Sequence, residues 1–366
     1  MLKIMHVAGA RPNFMKIAPI MRTMAKYPGH FEQVLVHTGQ HYDFSMSQIF
    51  FQDLDLPEPD VYLKIGSGTH AEQTSLVMLA FEPIVQELGP DLVLVVGDVN
   101  STLACTLVCA KLGVAVAHVE AGLRSYDMTM PEEINRVLTD QIATLLFTPS
   151  RDADDNLQRE GIRPERIHFV GNVMIDSLVV NITKAQQRNI RANINLQDRP
   201  YMLATLHRPA NVDSPENLRE LLSGLSKLTE GIAVVFTMHP RTSKRIDEFG
   251  LRDFITRSPN FFPMEPQGYL DFLALMNDTT VVLTDSGGVQ EETTYLGIPC
   301  LTVRPTTERP VTVELGTNRL IGCAQDEIVA AVEAIVNGPK NQGRIPELWD
   351  GHAAERIVKV LDEYVR

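Results

Sequence analysis

The segment VVLTDSGGVQEETTYLGIPCLTVRPTTERP (281–310) sets Ser286-Gly287-Gly288 between an apolar run and a stretch carrying Glu291 and Glu292. Glycines there leave backbone N–H groups uncovered at the start of a helix. Aligned peptide dipoles favour an anion at that end, so a diphosphate fits without a lysine. A carboxylate in the first turns repels phosphate but accepts hydrogen bonds from a ribose diol. Arg304 and Arg309 follow in a proline-rich loop.

Other apolar runs end in equally reactive residues. GARPNFMK (9–16) sets Arg11 and Lys16 around a helix start, a second anion site. DLVLVV is followed by Gly97 and Asp98, where Asp98 either caps the next helix or serves chemistry. VAVAHVE ends in Glu120, and a carboxylate finishing a buried parallel strand is costly unless used or paired. Its neighbour His118 reads as structural. MPEEINR opens a helix with Pro131, puts Glu132 and Glu133 in its first turn and Arg136 one turn on. His207-Arg208 and His239-Pro-Arg241 each follow a strand-like run. GSGTHA (66–71) fits a dinucleotide fingerprint, but that fingerprint belongs after the first strand, where GARP stands instead.

Positioning these groups requires strand ends. Short β-branched runs alternate with amphipathic helix-length segments from KIMHVA onward, which implies parallel strands covered on both faces: doubly wound α/β. The pattern loosens over Asn181–Pro200 and restarts at YMLATLH. Two Rossmann-like domains are expected, 1–171 and 172–352. A last helix over 353–366 packs on either. Ligands in open α/β sheets bind beyond the carboxyl ends of the strands, so two such sheets are expected to face a central cleft.

The 366 residues, 44% hydrophobic and 22% charged, have ordinary globular composition. A net charge of −13 argues against a nucleic-acid surface, which needs a basic stripe. No apolar run approaches the ~20 residues of a membrane span, and the N-terminus reads as a strand, not a signal peptide. Cys105 and Cys109 stand i, i+4 without a histidine cluster, so they read as core thiols and no metal is expected. Few cysteines and no export signal point to a reducing, cytoplasmic setting.

Taken together, GARPNFMKIAP, TGQHYD, VVGDVNST, HVEAGLRS, MPEEINR, LHRPAN, TDSGGVQEE and TTERP stand in the order found in non-hydrolysing UDP-N-acetylglucosamine 2-epimerases, and the sequence resembles that family from residue 3 to about residue 320. The resemblance implies a GT-B-like arrangement, a homodimer, and interconversion of UDP-N-acetylglucosamine and UDP-N-acetylmannosamine without a nicotinamide cofactor. UDP leaves, C2 loses its proton to give 2-acetamidoglucal, and UDP returns with protonation on the other face. It assigns catalysis to Asp98, Glu120, Glu132 and His207. It assigns nucleotide binding to Arg11, Lys16, Arg136, His239, Ser286, Gly287, Gly288, Glu292 and Arg309, with Glu292 on the ribose. Gln40-His41 persists from the family's activator site, but Glu72 stands where that site has an arginine. Alternatives are epimerisation of a UDP-2,3-diacetamido uronic acid, a hydrolysing epimerase, a GT-B glycosyltransferase and a sugar-nucleotide sensor.

Overall fold

A computed structural model describes residues 1–39, 51, 53–196, 199–258, 260–339 and 343–364. The chain divides into two compact units, one formed by 1–180 with 347–366 and the other by 181–346.

The first unit runs β1 (Leu2–Ala8), α1 (Arg11–Met24), β2 (Phe31–His37), β3 (Val61–Tyr62), α2 (His70–Leu88), β4 (Leu92–Val96), α3 (Asn100–Leu112), β5 (Ala115–Val119), α4 (Pro131–Ile142), β6 (Leu145–Thr148), α5 (Arg151–Arg159), β7 (Ile167–Phe169) and the first part of α6 (Val173–Gln186), whose residues from Asn181 on belong to the second unit. Its sheet is parallel, in the order β3-β2-β1-β4-β5-β6-β7. LVLVV of β4 is buried throughout, as a central parallel strand covered on both faces must be. Helix α3 is buried almost all round, with Cys105 and Cys109 fully enclosed and burial pushing both thiols up.

The second unit continues through α7 (Ile190–Asn193), β8 (Tyr201–Thr205), α8 (Pro209–Val212), α9 (Pro215–Leu228), β9 (Ala233–Thr237), α10 (Pro240–Glu248), α11 (Asp253–Thr256), β10 (Phe261–Met264), α12 (Tyr269–Asn277), β11 (Val281–Thr284), α13 (Gly287–Leu296), β12 (Cys300–Val303), α14 (Pro310–Glu314), β13 (Asn318–Ile321) and α15 (Gln325–Asn337). Its parallel sheet is ordered β10-β9-β8-β11-β12-β13. Helix α16 (Ala353–Tyr364) belongs to the first unit: Asp176 accepts from Ala353 N at 3.1 Å and Ala354 N at 2.8 Å.

Strand order reverses between β1 and β4 in one sheet and between β8 and β11 in the other. Neighbouring crossovers leave in opposite directions at such a switch point and open a crevice at the strand ends. The chemistry-bearing residues sit at the ends of these strands and of β5.

Candidate active site

In the first unit the turn after β1 is tied down by Asn13, whose Oδ1 accepts from Gly9 N at 2.9 Å and Ala10 N at 2.8 Å while its Nδ2 donates to Val96 O at 3.3 Å. That fixes the start of α1 against the end of β4 and sets Lys16, buried, in an ion pair with Glu120. Gly97, at φ +67°, gives the pair room: a Cβ there would lie 3.1 Å from Lys16 Nζ. Arg11 opens α1, but its side chain lies outside the described residues, as do Gln40 and His41.

Glu120 has φ +72°, a left-handed conformation costly for a residue with a side chain. Its N–H and that of Ala121 both donate to Phe147 O, at 3.1 and 3.0 Å, so the chain bulges as it leaves β5. Bulges re-aim side chains beside active sites, and this one carries a carboxylate.

Asp98 does not cap α3; Val99 holds that position. It pairs instead with Arg136 at 2.6 Å and keeps a partly exposed carboxylate. Arg136 is buried and also holds Glu133 at 2.5 Å, whose carboxylate takes Ser125 N, Ser125 Oγ and Tyr126 N. Glu133 is thus committed to the loop after β5, while Glu132, beside it, is half-buried with no ion-pair partner among the described residues.

His118 braces these ends from beneath. Its Nε2 lies 2.7 Å from Gly97 O and its Nδ1 2.7 Å from Asp140, both fully buried. Asp140 also accepts from Gly122 N at 3.0 Å and pairs with Arg124. Burial alone would raise its carboxyl, but His118 and Arg124 hold it below its ordinary value.

In the second unit Asp285 ends β11 fully buried, accepting from His207 N at 3.0 Å, Arg208 N at 2.9 Å, Asn211 Nδ2 at 3.0 Å and the His207 ring at 2.9 Å. Burial raises its carboxyl, and these hydrogen bonds outweigh it, holding the group at about 2. His207, whose Nδ1 is spent on Asp285, keeps a partly exposed ring for proton transfer or a phosphate oxygen. The His239 ring lies 5.9 Å away and caps α10, accepting from Arg241 N.

Ser286 precedes α13, whose first turn begins at Gly287 and Gly288. A Cβ on Gly287 would strike the Arg309 guanidinium and lie 2.8 Å from Glu308. Arg309 is buried, paired with Glu291 at 2.8 Å and with Glu308, which also takes Arg304 at 2.6 Å. Arg309 therefore neutralises the helix's first acid and, with Glu308, fills the space beside Gly287. The second acid, Glu292, lies apart from them: it accepts from Tyr269 OH at 2.9 Å, and burial pushes it up to about 8.

Sequence reasoning passed over Asp285, Tyr269 and Gln290. Asp285 carried a usable signal, a carboxylate finishing an apolar parallel run, as at Glu120. Gln290 is buried and accepts from Thr307 at 2.7 Å and Asn318 at 3.0 Å, tying α13 to the TTERP loop; neither it nor Tyr269 had one. GSGTHA runs into the start of α2, where Thr69 and Glu72 form a reciprocal capping box, so the Glu72 carboxylate is turned back on Thr69 N at 2.9 Å. Among the described residues no group of three or more His, Cys, Asp or Glu could hold a metal ion, and no helix is long and apolar enough to cross a membrane.

Residues 23–362 match the family model of UDP-N-acetylglucosamine 2-epimerase. The UDP-N-acetylglucosamine 2-epimerase of Methanocaldococcus jannaschii is 44% identical over 98% of this chain and 99% of its own. The crystal structure of that organism's enzyme with UDP-GlcNAc and UDP superposes with a TM-score of 0.93, over 99% of this chain and 100% of the other. The UDP-2,3-diacetamido-2,3-dideoxy-D-glucuronate 2-epimerase of Pseudomonas aeruginosa is 40% identical over 98% of this chain and 99% of its own. With strand-end carboxylates in one unit and a Ser-Gly-Gly helix start in the other, the chain belongs to the UDP-N-acetylglucosamine 2-epimerase family.

Proposed function

We propose that this protein reversibly converts UDP-N-acetylglucosamine to UDP-N-acetylmannosamine by eliminating and re-adding UDP. The observation that carries this reading is the pair of strand-end constellations, Asp98–Arg136 with Lys16–Glu120 and Asp285–His207 with the Gly287 turn, in a chain matching an epimerase over 98% of its length.

The proton on C2 is not adjacent to a carbonyl, so removing it directly is prohibitive. Breaking C1–O first makes it removable: the bond's electrons leave with the β-phosphate, C2 gives its proton to a carboxylate, and 2-acetamidoglucal remains beside UDP. Re-addition runs the same bonds backwards with the proton delivered to the opposite face. At least two acid–base groups are needed, and Asp98, Glu120 and Glu132 supply them. Charge building on the departing diphosphate is met by Lys16, Arg136, Arg11 and His207, and by the N–H groups at Ser286, Gly287 and Gly288. The second unit is the UDP-binding domain, with Glu292 on the ribose and His239 and Arg309 framing the nucleotide.

A homodimer is part of this proposal. Leu76 and Leu79 on α2 and Ile134, Leu138 and Ile142 on α4 are exposed at helical spacing, and α3 packs between these helices. Such a face suits a second copy. A cytoplasmic site of action fits a nucleotide-sugar substrate.

Proton NMR of UDP-N-acetylglucosamine with the protein in deuterium oxide tests the reaction. UDP-N-acetylmannosamine carrying deuterium at C2 is the expected product. Free N-acetylmannosamine would establish hydrolysis instead. No reaction here, with turnover of the diacetamido uronic acid nucleotide, would assign the substrate of the Pseudomonas relative.

A further inference from the structure

A small cavity in the first unit is walled by Lys16, Glu120, Pro149 and the segment 171–174, which leads into α6. Asn172 caps that helix: its Oδ1 accepts from Met174 N at 2.9 Å. The amide plane is thereby fixed and its other end, Nδ2, is turned away from the helix. Asn172 is only 3% exposed, and Nδ2 has no hydrogen-bond partner among the described residues. A buried N–H without an acceptor is costly, so such a group calls for an explanation.

Capping does not supply one. A cap uses only the oxygen, and Asp or Ser provides it as well as Asn. Aspartate would suit the helix dipole better. What the amide adds is a donor on a residue that lines the cavity, where Asp would bring a second carboxylate towards Glu120. Lys16, paired with Glu120, brings a cation to the same wall, so the group that suits Asn172 Nδ2 is an oxygen that accepts.

We propose that Asn172 Nδ2 contacts the substrate directly, donating to the carbonyl oxygen of the 2-acetamido group and so holding C2 beside Glu120. The proposal rests on the epimerase reading above and holds for the N-acetyl and the diacetamido sugars alike, since both carry that carbonyl. A sugar hydroxyl would instead be drawn to Glu120, which accepts.

Asn172→Asp and Asn172→Ser both keep a capping oxygen and remove the donor. Binding of UDP-N-acetylglucosamine, UDP-glucose and UDP is measured by calorimetry for each variant and for wild type, with thermal melts alongside. Affinity for UDP-N-acetylglucosamine is expected to fall about tenfold, the scale of one well-made hydrogen bond, with UDP-glucose and UDP within about twofold and the Ser variant melting as wild type. Equal losses for all three nucleotides, or no loss for any, would overturn the assignment and leave Asn172 a helix cap. Wild-type protein that binds none of the three would sink the epimerase reading and this one with it. Wild-type turnover with fully competent variants would sink this one alone.

Discussion

Replacing Glu292 by Gln is expected to stabilise the protein while weakening its grip on UDP. The folded carboxyl sits near 8, against 4.5 for a free glutamate, because it is buried beside Glu291 with one hydrogen bond from Tyr269. A carboxyl raised on folding favours its protonated form, so its contribution is fully present below pH 4.5 and drains away as pH rises towards 8. Integrating over that shift gives a loss of about 3 kcal/mol by pH 7 and about 5 kcal/mol by pH 9. Glutamine keeps an oxygen for Tyr269 and has no proton to lose. The gap in melting temperature between variant and wild type should therefore open with pH, reaching about 4 °C at pH 7 and about 6 °C at pH 9 if the whole chain unfolds together. Melts at intervals from pH 4.5 to 9, paired with UDP titrations, read both effects. A gap that stays constant across that range would refute the reasoning, since only an ionising Glu292 makes it grow. Unchanged UDP affinity would remove Glu292 from the ribose site.

Asp98→Asn should abolish epimerisation, followed by NMR, while UDP affinity by calorimetry stays near wild type; equal losses in both would move Asp98 out of proton transfer. Asp285→Asn removes the anion that orients His207, and kcat is expected to fall on the order of a hundredfold, at the low end of general acid–base contributions. Gly287→Ala forces a methyl into the Arg309–Glu308 pair and should weaken UDP binding and cost about 1–3 kcal/mol of stability by overpacking; wild-type behaviour would show that the guanidinium can yield. Leu138→Glu puts a charge on the exposed apolar face of α4 and should shift sedimentation from dimer to monomer.

The α/β alternation was legible because buried parallel strands such as LVLVV read as continuous apolar runs, and the strand ends pointed to the site. The costliness of a carboxylate there singled out Glu120, and the structure adds the left-handed bulge that aims it. Asp98 stayed ambiguous because cap and ion pair look alike in sequence; only the fold brings Arg136, on another helix, to within 2.6 Å. Spacing alone did not tell the two acids of α13 apart; it was the family resemblance that put Glu292 on the ribose. Arg309 reaches Glu291 and not Glu292 for reasons of helical phase and loop path that spacing alone does not encode. The Asn172 amide was invisible for a related reason: what distinguishes it is an acceptor it lacks.

The attachment of α16 has a kinetic consequence. Trp349 donates to Pro149 O at 2.9 Å, Arg356 to Val170 O at 3.0 Å, and the α16 start lies on Asp176. The first unit thus closes with residues that emerge from the ribosome only after the whole of 181–346 has been made. At ordinary synthesis rates that interval is on the order of ten seconds or more. Throughout it Pro149, Asp176 and the apolar seat of Trp349 await their partners, so the nascent first half is exposed to aggregation and to chaperones for far longer than its own residues take to collapse.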